Sequence, residues 1–195
     1  MLAAVILSGG ASSRMGSPKA LLPFQGKPFL EHLLEVTHHP RISARRVVLG
    51  AHAEAIVKAI DVPQDEIVIN EEWEQGQLSS LHAGIRSLPP GTEGLVVCLI
   101  DHPLISASLV DELISHFHAS KTPIVLPTFE GRRGHPVIFA ASLYDELLQA
   151  PLDVGARAVV WAHRKEVHEF STAEEGCVLN LNDPETFERV TREMG

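Results

Sequence analysis

The sequence predicts a single-domain α/β fold with a doubly wound, mostly parallel, mixed sheet covered by helices on both faces. Three observations predict it. Short apolar runs alternate with amphipathic helical patterns along the whole chain, which is the pattern of βαβ crossovers. The strongest runs, Ala3 to Leu7 and GLVVCLI at 94–100, contain no polar residue, as strands covered on both faces require. The 195 residues, 45% hydrophobic, suffice for one core, with no repeat, low-complexity tract or linker to divide it.

Taken in order, Ala3 to Leu7 forms the first strand, followed by a Gly- and Ser-rich loop, LSGGASSRMGSPK over 7–19. Pro28 opens a helical pattern, FLEHLLEV, because a fixed φ and a missing N–H do no harm in a first turn. RRVVLG is the second strand, with a helix around Ala53 to Ile60. EIVIN is the third, with a helix beginning near Ser79 or Ser80. GLVVCLI is the fourth strand, and SASLVDELISHFHAS a helix with a serine cap. PIVLP and PVIF read as strands, Tyr144 to Gln149 and Val154 to His163 as helices. VHEF and CVLNL read as the last strands, and Pro184 to Met194 as the closing helix.

Charge and composition exclude several classes. Sixteen Lys and Arg against 25 Asp and Glu give a net charge of −9, which opposes a surface built for nucleic acid. A small anion remains possible where a local basic pocket or a metal ion overrides that field. No apolar run is long enough for a membrane, and MLAAVILSGG reaches its glycines too early for a signal peptide, so a cytoplasmic location is expected. Two cysteines make no disulfide framework, and Cys98, inside LVVCLI, reads as a small buried thiol, with Cys177 alike.

In such sheets ligands sit at the carboxyl ends of strands, which directs attention to the first loop. Glycines there let backbone N–H groups turn inward and approach phosphate oxygens. Arg14 and Lys19 add a fork and a point charge. A P-loop is excluded, because Gly10 and Gly16 have five residues between them and Lys19 comes three after Gly16. The dinucleotide glycines are absent too, which argues against a nicotinamide-dependent oxidoreductase. Asp101, at the end of GLVVCLI, is a hard oxygen ligand suited to Mg²⁺ or a cap of the turn before Pro103. Asn180 and Asn182 flank Leu181, and on a strand both would point to one face. Asp183-Pro184 reads as a capped helix start. Ser79 and Ser80 sit at a helix start where hydroxyls meet a ligand edge or simply cap. In EGRRGHPVIF, Arg132 and Arg133 form a cationic turn, either for an acidic acceptor or simply solvated.

The stretch LSGGASSRMGSPKALLPFQGKPFLEHLL resembles the opening signature of the MobA-like nucleotidyltransferase family, L-x-x-G-x-S-x-R-M-G-x-x-K followed by a Leu-rich stretch and G-x-P. Leu7, Gly10, Ser12, Arg14, Met15, Gly16, Lys19, Gly26 and Pro28 match. The likeness continues through Asn70, Trp73 and Gly76, through Ser80, Leu81 and Gly84, then IDHPLI, RGHPVIF, DVGAR and NLNDPE. It covers essentially the whole chain. It implies a Rossmann-like sheet of the nucleotide-diphospho-sugar transferase (GT-A-like) type, and transfer of a nucleoside monophosphate to a phosphorylated acceptor with release of pyrophosphate.

The resemblance also implies roles. Leu7, Ser8, Gly9, Gly10, Ser12, Arg14, Gly16 and Lys19 would hold the nucleoside triphosphate, with Asn70, Ser79 and Ser80 towards base or ribose. Arg14, Lys19 and Asp101 would be catalytic, and Asp101 and Asn182 would hold Mg²⁺. Arg133, His135 and Asp153 would face a molybdopterin-type phosphorylated acceptor, with a molybdoenzyme or its chaperone as a possible partner. His102 reads as a spacer. In DVGAR, Leu152 replaces the first glycine of the family's G-D-x-G-A-R. Leu7-Ser8-Gly9-Gly10 leans towards GTP; RGHPVIF, ALLPF and DVGAR lean towards CTP, which is favoured. A sugar-phosphate acceptor and a non-catalytic nucleotide-binding module remain the alternatives.

Overall fold

Period-2 alternation along the strands sorts the core into two layers. A computed structural model describes residues 1–13 and 15–194. The elements are β1 (Leu2–Ser8), β2 (Pro23–Phe24), β3 (Lys27–Pro28), α1 (Phe29–Val36), β4 (Ile42–Leu49), α2 (Ala53–Ala59), β5 (Ile67–Ile69), α3 (Gln77–Arg86) and β6 (Gly94–Leu99), followed by α4 (Ala107–Ser120), β7 (Ile124–Phe129), β8 (Arg132–Arg133), β9 (Val137–Ala140), α5 (Tyr144–Gln149), α6 (Arg157–Ala162), β10 (Val167–Ser171) and α7 (Pro184–Met194). Every residue of β1 is buried. Leu2, Ala4 and Ile6 face one way, with Val96 and Cys98 of β6, and meet α1, α2 and α4 through Leu30, Leu33, Ile56, Leu109 and Leu113. Val5 and Leu7 face the other way, with Val97 and Leu99, and meet α3, α5 and α6 through Leu81, Leu147 and Val159. This is the doubly wound arrangement that the alternation predicts.

The main sheet runs β10-β7-β9-β6-β1-β4-β5, with β8 paired to β7. β1 pairs in parallel with β4 and β6, β4 with β5, and β10 with β7. β9 runs antiparallel between β6 and β7, so the sheet is mixed. The chain winds from β1 outward to β5, then returns through α3 to β6 on the other side of β1. That reversal opens a crevice at the carboxyl ends of β1 and β6.

Helix starts follow local chemistry. Ser106 caps α4, its hydroxyl accepting from Leu109 N at 3.1 Å. Asp183 caps α7, Oδ1 accepting from Thr186 N at 2.9 Å. α3 starts at Gln77 rather than at the serines, after Gly76 turns the chain at φ +97. The helix expected from Val154 covers only Arg157–Ala162, because 151–156 are spent on turns ending at Gly155, φ +79.

CVLNL is not a strand. Glu174 binds Ser106 N and Oγ, both at 2.6 Å, and the chain folds into a 3₁₀ turn over Glu175–Cys177. The segment then crosses the sheet end, with Cys177 O accepting from His135 N at 2.8 Å and Leu181 N donating to Asp101 O at 2.8 Å. A third cluster, Phe24, Phe29, Leu181 and Val190, docks α7 beside the first loop. Phe187 packs edge-on to Phe29 at 5.7 Å between centroids. Cys98 and Cys177 are both buried, and burial pushes their thiols up to about 12 and about 11, so both are structural. Among the described residues no helix is long and apolar enough to cross a membrane.

Candidate active site

Leu7 and Leu99 are register partners at the ends of β1 and β6, and Ile100 N donates to Leu7 O at 3.1 Å just beyond the ladder. They form an apolar floor shared by two cavities, one of about 290 Å³ and one of about 570 Å³.

The smaller cavity is where the first loop sits. Gly9 packs so closely that a Cβ there would lie 2.5 Å from Ser80 Oγ, and a Cβ on Gly50 would lie 2.3 Å from Gly9 O. Only glycines allow β1, β4 and α3 to converge on this point. The outgoing loop is tied by Ala51 N to Gly9 O at 3.1 Å and by His52 Nε2 to Ala11 O at 2.8 Å. Its return is closed by Lys19 N donating to Ser12 Oγ at 3.1 Å. Leu7, Ser8, Gly9, Gly10, Ser12, Lys19 and Ser80 line this cavity, together with Asp101 and Asn182. Gly16 turns the far part of the loop at φ +69 and is not in the lining. Arg14 lies outside the described residues.

Asn70 and Ser79 are buried beside this cavity and are not among its lining residues. Asn70 Nδ2 donates to Ser79 Oγ at 2.9 Å and Ser80 Oγ at 3.0 Å, while its Oδ1 accepts from Glu72 N at 3.0 Å. Ser79 Oγ is also within reach of the carbonyls of Glu72 and Gly76. Their polar atoms are consumed in holding the turn before α3, so their work is to brace Trp73 and Ser80, which do line the cavity.

Two asparagines arrive from the segment before α7. Asn180 Nδ2 donates to Asp101 Oδ2 at 2.8 Å, and Asn182 Oδ1 accepts from Lys19 Nζ. Because CVLNL is not a strand, these two side chains do different jobs. Asn180 Oδ1 is buried with no partner among the described residues. Among those residues no cluster of three His, Cys, Asp or Glu could hold a metal ion alone. The donor set is therefore one carboxylate plus amide and hydroxyl oxygens on a cavity wall. That fits a hard divalent cation such as Mg²⁺, which takes one or two protein ligands beside substrate phosphates. Asp101 and Asn182 would be those ligands.

The larger cavity lies across the Leu7–Leu99 floor. Arg133, His135 and Asp153 all line it. Arg133 is held by Glu169, Nε to Oε1 at 3.0 Å. His135 stands against His102, 4.9 Å between ring centroids, and the Nδ1 atoms of both are buried without partners among the described residues. Burial, reinforced by the neighbouring His102 and opposed by Asp101, pushes His135 down to about 4. Burial lowers His102 as well. Both rings are thus neutral near pH 7. His102 lines neither cavity and packs between the Asp101 turn and His135.

Several lining residues escaped the sequence reading. Among the described residues, Gln77 is the one polar side chain that both cavities share. Leu152, Arg157 and Trp161 line the larger cavity. Gly50 and His52 act on the loop from β4. Of these, Leu152 and Arg157 belong to the stretch LDVGAR, in which the sequence assigns neither a role, and Gly50, a glycine ending an apolar strand, had a local signal.

Comparison with known proteins gives the family and the fold. A family model described as MobA-like NTP transferase domain matches residues 4–167. The molybdenum cofactor guanylyltransferase of Xanthomonas euvesicatoria pv. vesicatoria is 29% identical, over 97% of this chain and 94% of that protein. A protein named nicotine blue oxidoreductase from Paenarthrobacter nicotinovorans is 32% identical over 78% of each. Among solved structures, Rv0371c of Mycobacterium tuberculosis superimposes with a TM-score of 0.87 at 27% identity, covering 98% of this chain and 97% of that one. The same protein was also solved with manganese.

Proposed function

The chain belongs to the MobA-like NTP transferase family, and we propose that it transfers a nucleoside monophosphate from a triphosphate to the phosphate of a molybdopterin-type acceptor. The reading treats residues 1–195 as one such domain working in the cytoplasm. One observation carries it: Lys19, Asp101 and Asn182 converge on a cavity whose floor continues into a second cavity bearing Arg133 and His135. Two substrates need two adjoining sites.

In this reading the triphosphate lies along the first loop, with Lys19 as a point charge on its phosphates and Asp101 and Asn182 as oxygen ligands of a divalent cation. That cation, when bound, neutralises charge on the phosphates. Arg133 and the neutral His135 hold the acceptor. An acceptor phosphate oxygen attacks the α-phosphorus in line, the α–β P–O bond breaks, and pyrophosphate leaves. The nucleophile is already an anion, so no side chain need act as general base. The chain's contribution is positioning and electrostatics.

CTP is the favoured donor, on RGHPVIF and DVGAR. GTP is the second reading, supported by Leu7-Ser8-Gly9-Gly10 and by the guanylyltransferase name of a relative spanning nearly the whole chain. The test is incubation with Mg²⁺ and each α-labelled triphosphate, with and without molybdenum cofactor, following pyrophosphate and the dinucleotide product. Product with CTP supports the first reading, and product with GTP alone supports the second. No product with any base would leave a nucleotide-binding module. Reduction or oxidation of nicotine blue, followed in parallel, tests the activity that the other relative's name describes.

A further inference from the structure

The larger cavity carries two apolar side chains that the transfer scheme does not use. Trp161 is 59% exposed and Leu152 is 44% exposed, and both line this cavity, whereas the other exposed large apolar side chains, Met1, Val57 and Ile69, do not. An indole left in water forgoes one of the largest burial gains any side chain can make. Its place at a cavity lined by Leu126, Val137 and Phe139 gives that gain somewhere to be realised.

Trp161 follows Arg157 by four residues on α6, so both sit on one helix face, and both line the cavity. Arg157 makes no ion pair among the described residues. The wall therefore offers a flat apolar surface with a guanidinium one turn away, and the Asp153 carboxylate in the same lining forms no ion pair with it. Leu152, where the resemblance pattern has glycine, adds a second apolar group to the same lining.

We propose that Trp161 and Leu152 form an apolar clamp that selects an acceptor built on a flat heteroaromatic ring, with Arg157 taking an anionic group on it. The inference rests on reading this cavity as the acceptor's. A ring with two apolar faces covers the indole and stacks on it, while a hydroxyl-rich sugar leaves the indole wet and places hydroxyls against leucine. Stacking of a base on an aromatic side chain corresponds to roughly fivefold to a hundredfold in affinity. Trp161 acts here as a specificity determinant, apart from the transfer chemistry.

Equilibrium dialysis tests it, with a pterin monophosphate and glucose 1-phosphate as probes, on the full chain, on Trp161→Ala, Trp161→Phe and Leu152→Gly, and on Val57→Ala as a control for an exposed apolar residue elsewhere. The wild type should prefer the pterin. Trp161→Ala should weaken pterin binding roughly fivefold to a hundredfold and leave glucose 1-phosphate and triphosphate binding unchanged, with Trp161→Phe retaining most of the affinity and Leu152→Gly losing part. Equal loss for both probes, no loss for either, or a wild-type preference for the sugar would overturn the clamp. So would a change of molecular mass in light scattering on Trp161→Ala with pterin binding intact, which would mark a contact between copies. If the pterin preference and its loss are observed but the wild type transfers no nucleotide, the clamp stands and the transfer reading fails.

Discussion

Asn180 holds one oxygen of Asp101 by a 2.8 Å hydrogen bond from Nδ2, although 79 residues separate them in the chain. The bond fixes the carboxylate's rotation, so that one oxygen is committed to the protein and the other is left for the cavity. Partners of this kind set the affinity of a metal ligand without touching the metal.

Asn180→Leu should therefore weaken Mn²⁺ or Mg²⁺ binding roughly tenfold to a hundredfold in the presence of triphosphate. Manganese electron paramagnetic resonance reads this directly, with no need for turnover. Unchanged metal affinity would show that Asp101 needs no such orientation.

Lys19→Ala and Asp101→Ala should each lower nucleotidyl transfer roughly a hundredfold to a thousandfold, corresponding to about 2.7 to 4 kcal/mol of transition-state stabilisation. Thermal unfolding should show the fold intact. Near-normal kcat in either variant removes that residue from the scheme.

Gly50 tests the packing beneath the loop. A methyl group there would fall 2.3 Å from Gly9 O and 2.6 Å from Trp73 Cβ, and overpacking of this kind typically costs about 1 to 3 kcal/mol. Gly50→Ala should lower the denaturant midpoint and, by displacing Gly9, reduce triphosphate affinity as well. A stability loss with full nucleotide affinity would mean that the loop finds its conformation without this support.

His135 gives a pH dependence of definite sign. The folded protein keeps it neutral down to about 4, whereas the group's ordinary value is 6.5. Between those values the unfolded state binds more protons, so stability falls as pH drops from 6.5 towards 4, with no contribution above 6.5. His135→Gln should lose less stability than the wild type between pH 7 and pH 5, in parallel urea titrations. Identical losses would mean that His135 takes up its proton in the folded state.

The order of the main strands and helices up to β10 was legible because most apolar runs had one period and clear breakers on either side. The first loop was legible because its glycines, Ser12 and Lys19 lie within one continuous stretch. CVLNL misled because its apolar residues are real core residues, yet Glu174 reaches Ser106 and bends the backbone out of the ladder. The hydrogen bonds of Asn70 and Ser79 to the turn before α3 were not legible, since nothing local tells a polar residue that serves a ligand from one that serves a wall. Gln77, Trp161 and His52 gave no signal, since nothing local marks an exposed side chain as facing a cavity that distant elements build.

Phe187, seated against Phe29, has a consequence for biosynthesis. A nascent polypeptide would have all of its strands before Asn182 and the helix that anchors it leave the ribosome. Asn182 and α7 would then reach the crevice only after every strand had emerged, so a product terminated before Asn182 would lack that wall of the smaller cavity while still holding its sheet.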